Sequence, residues 1–122
     1  MTGAMLERYG RATVARIVAA FYADVLQSPT LGRYFTNVSM SGLVEHQALF
    51  MTAVMGGPHA FDQAHILRVH QNLGITVEDF DEMLDLLKAR MRQSGVEPDD
   101  IETVIDGYLQ MRGQVVAGPP ST

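Results

Sequence analysis

Four histidines, His46, His59, His65 and His70, are the only nitrogen donors suited to a metal in a chain of 122 residues without cysteine. Lacking thiols, the chain has no disulfide framework, no thiolate metal site and no thioether attachment point, so a metal must be held by histidine, carboxylate or methionine. No HxxxE, HExxH or carboxylate-plus-ExxH pattern brings several ligands onto one helix, which argues against zinc or di-iron chemistry. GxSxG, P-loop and GxGxxG motifs do not occur. Asp79, Asp81 and Glu82 fall at a helix start, where carboxylates complement the macrodipole. One kind of metal centre asks the protein for a single nitrogen: a porphyrin iron, whose ring supplies the other four. Such a centre needs a histidine on one helix and a largely apolar facing helix with one or two hydrogen-bond donors. His70 on a short helix and the segment Leu43-Val44-Glu45-His46-Gln47 offer both parts. Positions 43 and 47 share a helical face, and 46 is turned by about 100° from 47. A lone helical histidine is more commonly a surface or satisfied core residue, so this pattern alone leaves both readings open.

The elements that must position these residues are helical. Val14, Ile17, Val18, Phe21 and Val25 mark one face of a helix over about 12–26, with Tyr22 beside that face and Ser28-Pro29 as its stop. Met5 to Tyr9 form a short turn ended by Gly10. Ser28 and Pro29 suit the cap and first position of a short helix over 30–35, and Thr36-Asn37 is a turn. Ser39 or Ser41 caps a helix to about Met55, closed by Gly56-Gly57-Pro58. A loop over 59–63 leads to a short helix over about 64–72. Thr76 to Asp79 resembles a capping box for a helix ending at Gly95, and Pro98 opens the last helix. Its face is marked by Ile101, Val104, Ile105, Tyr108 and Val115. Tyr9 and Tyr108 are expected to be amphipathic surface residues, and the eight methionines core fillers. No alternating strand and no repeat is visible, so the fold is expected to be all-α with four main helices.

The composition, 47% hydrophobic and 19% charged, belongs to an ordinary globular domain. Residues 1–118 are expected to form that domain, with a short Pro-containing tail over 119–122. A net charge of −5 without a basic cluster disfavours nucleic acid and anionic membranes. No apolar run reaches the length needed to span a bilayer, and the N-terminus lacks a signal-peptide pattern, so a cytoplasmic protein is expected. A monomer is the favoured state.

From Phe21 to Ile75 the chain resembles the group I truncated haemoglobins. The matching pieces are Phe21-Tyr22-x-x-Val25-Leu26, Tyr34-Phe35, Met40-Ser41-x-Leu43-x-x-x-Gln47, Gly56-Gly57-Pro58 and Val69-His70-Gln71-x-Leu73-Gly74-Ile75, in the family's order. Phe80 and the Gly95-Val96-x-Pro98 break fit as well. The resemblance implies a two-over-two helical sandwich enclosing haem, with His70 as proximal iron ligand. It implies distal roles for Tyr22, Leu43 and Gln47, a porphyrin contact for Phe35, and pocket walls from Phe50, Ile75 and Phe80. His59 and His65 are expected to be solvated.

The chain also departs from the family. Gly10-Arg11 stands where a double glycine is common. Gly42 replaces a frequent basic partner of a haem propionate, which leaves His46 or Arg68 for that role. Histidine at position 46 coordinates iron as a sixth ligand in some cyanobacterial relatives, so that role stays open beside the propionate or solvent role. Met51 stands where some relatives have a bulky aromatic beside a gas tunnel. Covalent haem attachment in some members uses a late histidine; none follows His70, so non-covalent haem b is expected. The function implied is reversible binding of oxygen, with nitric oxide and carbon monoxide as further ligands. The enzymatic alternative is nitric oxide dioxygenation supported by a separate reductase. The non-haem alternative is a small helical interaction or signalling module.

Overall fold

A computed structural model describes residues 4–56 and 73–116. Its helices are α1 (Ala4–Tyr9), α2 (Arg11–Gln27), α3 (Met40–Val54), α4 (Val77–Gln93), α5 (Pro98–Gln110) and α6 (Arg112–Val115), with a 3₁₀ turn over Gly32–Phe35. No strand occurs among the described residues. The four long helices pair as expected: α2 packs on α3 and α4 on α5, and the pairs are joined through α2–α4 and α3–α5 contacts. This is a two-over-two arrangement. The domain end expected at 118 lies outside the described residues, as do the loop and short helix expected over 59–72. No helix among the described residues is long and apolar enough to cross a membrane.

The helix ends follow local chemistry. Gly10 separates α1 from α2 at φ 85°, a conformation that favours glycine. Ser39 caps α3, its hydroxyl accepting from the Gly42 N–H at 3.5 Å, and Thr76 caps α4 by accepting from the Asp79 N–H at 3.0 Å. The α4 terminus is a Schellman motif: the Val96 N–H donates to the Met91 carbonyl and the Gly95 N–H to the Arg92 carbonyl. Pro98 occupies the first turn of α5, where its missing N–H costs nothing.

Burial matches the helical periodicity. Val14, Ile17, Val18, Phe21 and Val25 of α2 join Met51 of α3 and its C-cap Met55, Phe80, Leu84, Leu87 and Met91 of α4, and Ile101, Val104 and Ile105 of α5 in one core. The α3 and α5 helices approach closely at Gly107. A Cβ on Gly107 would fall 2.5 Å from Cγ1 of Val54, so the glycine is what admits this approach.

Polar latches fasten the periphery. Arg8 of α1 donates two bonds to the Asp100 carboxylate, at 2.8 and 2.9 Å. Tyr9, half-buried at the rim, is also part of this latch. Its hydroxyl donates to Asp100 at 2.6 Å and accepts from the Glu97 N–H at 3.0 Å. These bonds hold the Asp100 carboxyl below the usual carboxylate range. Arg90 of α4 grips Asp24 of α2 through two bonds, at 3.0 and 2.9 Å.

Candidate functional site

Of the residues that the resemblance assigns to the distal side, Tyr22 lies on α2 and Leu43 and Gln47 on α3, two helices that pack on each other, and Phe35 of the 3₁₀ turn meets Tyr22. Tyr22 sits one position beyond Phe21 in the last turns of α2, where the buried face of that helix is widest. Only 5% of Tyr22 is exposed. Its ring meets Phe21 edge-on at 4.9 Å and 65°, and Phe35 at 5.8 Å and 75°. These contacts fix the ring without engaging its hydroxyl, which makes no hydrogen bond among the described residues. Burial pushes the Tyr22 phenol well above its usual range, so it remains a neutral O–H donor.

Phe35 is held in place by an elaborately pinned corner. Ser28 accepts from the N–H groups of Thr30 and Leu31, as its capping role requires. The Ser28 and Thr30 hydroxyls both donate to Glu82 of α4, at 2.7 and 2.6 Å. Arg33 donates to Asp79 at 2.7 Å, and the Tyr34 hydroxyl donates to the same oxygen. The Arg33 guanidinium also lies over the Tyr34 ring at 4.5 Å. Asp79 and Glu82 therefore do more than complement the α4 dipole: they clamp that helix to the corner carrying Phe35. Asp81 is exposed, as a solvated helix-start carboxylate should be.

On α3, Leu43 and Gln47 lie one turn apart and are both half-buried. Phe50 follows and is buried. His46 is exposed, directly before Gln47. Met51 is 1% exposed and belongs to the core between α3 and α2. Ile75, just before the Thr76 cap, and Phe80, in the first turn of α4, are buried in the same cluster. His70, Arg68, His59 and His65 lie outside the described residues. Among the described residues no three of His, Cys, Asp and Glu group as metal ligands.

Tyr108 takes the amphipathic position expected for it on α5. The residue is half-buried, and burial pushes its phenol above the usual range. Its ring packs on Phe50 at 4.7 Å between centroids. The signal was present: 108 lies four positions after Val104 and three after Ile105, on the buried face of α5. The adjacent Gly107 brings that face close to α3.

A family model described as a bacterial-like globin matches residues 6–117. The group 1 truncated hemoglobin GlbN of Synechocystis is 30% identical over 105 residues, covering 82% of this chain and 85% of that protein. The chain belongs to the group 1 truncated haemoglobins. The protein of the same name from Mycolicibacterium paratuberculosis is 28% identical, over 89% of this globin and 80% of its own length. The fold agrees. The crystal structure of truncated hemoglobin from Tetrahymena pyriformis superposes with a TM-score of 0.84 at 22% identity, covering 93% of this globin and 98% of that chain. Membership of a haem globin family makes haem-based gas binding the general chemistry of the protein.

Proposed function

We propose that this globin reversibly binds oxygen at a non-covalent haem b, with His70 as the proximal ligand and Tyr22 and Gln47 as distal donors. The observation that supports this reading is the Tyr22 hydroxyl, buried between aromatic rings and without a protein acceptor among the described residues. A buried hydroxyl left unpaired costs about 1–3 kcal/mol, so its retention in an apolar wall makes sense if a ligand completes the bond. The residues present fit haem on this count, and a single histidine nitrogen satisfies the remaining demand of a porphyrin iron. When bound, haem supplies an iron with one open position for a diatomic gas.

The chain's own residues account for the rest of the function. Phe35, Leu43, Phe50, Ile75 and Phe80 supply apolar surface to the ring and exclude water. Tyr22 holds a proton that no neighbouring group competes for, and it presents that proton to a polar ligand. Gln47, one turn beyond Leu43 on the same side of α3, supplies a second donor. The exposed position of His46 favours a role at the pocket edge, towards solvent or a propionate, over the sixth coordination position.

A ligand that gains negative character on binding iron is stabilised by such donors, by about 1.5–3 kcal/mol for a hydrogen bond to a charged group. Tyr22→Phe should therefore speed oxygen release about ten- to a hundredfold, and change carbon monoxide release much less. Stopped-flow ligand displacement measures both rates. Equal oxygen release from the two proteins removes Tyr22 from the distal role.

A further inference from the structure

Two carboxylates one turn apart on α4 fasten the corner over 28–35, and they hold different ends of it. The near end has Leu31, which is fully buried, and Glu82, which accepts from the Ser28 and Thr30 hydroxyls. The far end is held to α4 by Asp79. One oxygen of that carboxylate accepts from the Arg33 guanidinium at 2.7 Å and from the Tyr34 hydroxyl. Asp79 is itself buried, and its N–H donates to the Thr76 cap at 3.0 Å. Successive side chains of a 3₁₀ turn point about 120° apart. Arg33 and Tyr34 reach Asp79 from two of those directions, and Phe35, the next residue, meets Tyr22 edge-on at 5.8 Å and 75°. The Tyr22 hydroxyl makes no hydrogen bond among the described residues, so its ring contacts are what orient it. Phe21 travels with Tyr22 on α2. Among the described residues, Phe35 is the ring that steadies it from outside that helix.

We propose that Asp79 is a positioning residue for the distal site: by fixing Arg33 and Tyr34 it sets the place of Phe35, and through that ring the direction of the Tyr22 hydroxyl. This inference rests on the distal role proposed above for Tyr22, and it adds a residue that acts on the ligand only through others. A donor must point at its acceptor, and a hydrogen bond weakens steeply once its angle falls below about 120°. A ring free to tilt spends part of its time misdirected. Loosening the corner therefore weakens the bond to the ligand without removing the hydroxyl. The effect is confined to polar ligands such as oxygen, and it exists only while residue 22 carries a hydroxyl. The Asp100 latch supplies the comparison. An arginine and a tyrosine share that carboxylate too, but it joins α1 to α5, and no ring contact among the described residues runs from it to Tyr22.

The test measures ligand release from the haem-loaded wild type, Asp79→Asn, Tyr22→Phe, the double variant of these two, and Asp100→Asn. Asparagine keeps the shape of Asp79 and loses the charge that draws both donors to one oxygen. Asp79→Asn should speed oxygen release about two- to fivefold, a fraction of the effect of losing the hydroxyl, with carbon monoxide release within about twofold of wild type. The infrared stretch of the carbon monoxide complex should broaden and move to higher frequency, because the positive O–H dipole is no longer held at the ligand. In the Tyr22→Phe background the same substitution should change oxygen release by less than about 1.5-fold. Asp100→Asn should match wild type in rate and stretch. Tyr34→Phe removes one donor and leaves Asp79 paired with Arg33, so it serves where Asp79→Asn folds poorly, and it should move the stretch in the same direction by less. If Asp79→Asn and Tyr34→Phe match wild type in rate and stretch while Tyr22→Phe releases oxygen faster, the positioning role is refuted and the site proposed above stands. Equal acceleration with and without the Tyr22 hydroxyl, or the same shift in Asp100→Asn, also refutes it, because the effect then reflects general loosening. If Tyr22→Phe leaves oxygen release unchanged, or if the wild type takes up no haem, both readings fall.

Discussion

The four tyrosines divide the molecule into two regions with opposite treatment of the same side chain. At the rim, Tyr9 and Tyr34 each donate to a carboxylate, Asp100 and Asp79, and each shares it with an arginine. Tyr22 is buried in apolar surroundings and Tyr108 packs half-buried on Phe50, and neither hydroxyl has a protein acceptor among the described residues. Rim phenols hold helices together. The unpaired Tyr22 hydroxyl costs stability in the free protein, and under the function proposed above a bound ligand returns it, so the same side chain builds the frame at the rim and is proposed to recognise a ligand in the core.

The largest effect should come from removing the proposed iron anchor. His70→Gly takes away the proposed axial nitrogen, and the variant should lose most of its haem and the native absorption spectrum. Added imidazole should restore a native-like spectrum. A spectrum unchanged without imidazole would mean that another residue anchors the iron.

A smaller effect is expected at the rim. Asp100 collects two bonds from Arg8 and one from Tyr9. Asp100→Asn should destabilise the protein by about 1–2 kcal/mol, a discounted value because Arg8 is largely solvent-exposed. The pH dependence has a definite sign. Because folding lowers the Asp100 pKa, its contribution is complete above the unfolded carboxylate value of about 4 and is lost as pH falls through the lower folded value. Urea midpoints measured from neutral pH into that acid range should fall less steeply in Asp100→Asn than in wild type. Parallel slopes would show that the latch contributes nothing to acid sensitivity.

The smallest effect is also the most direct comparison of the two regions. Tyr34→Phe leaves Asp79 one donor short and should cost about 1 kcal/mol. Tyr22→Phe in the gas-free protein removes an unpaired buried hydroxyl, so its stability should stay within about 0.5 kcal/mol of wild type or rise. Denaturant midpoints of the two variants decide between them. A greater loss at Tyr22 than at Tyr34 would mean that the interior phenol already has a structural partner.

The frame was largely legible in the sequence, because its determinants are local. Val14 to Val25 spell a helical face, Ser28, Ser39 and Thr76 act as the caps their positions suggest, and Gly95 closes α4. The latches were not legible, because Arg8 and Asp100 are separated by 92 positions and Asp24 and Arg90 by 66; pairing at that distance is set by how helices dock. Tyr22, Leu43, Gln47 and Phe35 could be proposed from a resemblance in pattern. Tyr108 follows the face marked by Val104 and Ile105, and its half-buried place agrees with that pattern. The close approach at Gly107 was not legible, because it emerges only once α3 and α5 are side by side.

That glycine has a consequence for how the protein can diversify. With no methyl at 107, the spacing of α5 and α3 is set by backbone resting on a β-branched valine, a stiff contact with few alternative rotamers. Bulk added at 107 must push the two helices apart or displace Val54, and bulk trimmed at 54 leaves a gap beneath the glycine, so the separation of this helix pair is tuned at two small positions rather than over a whole interface.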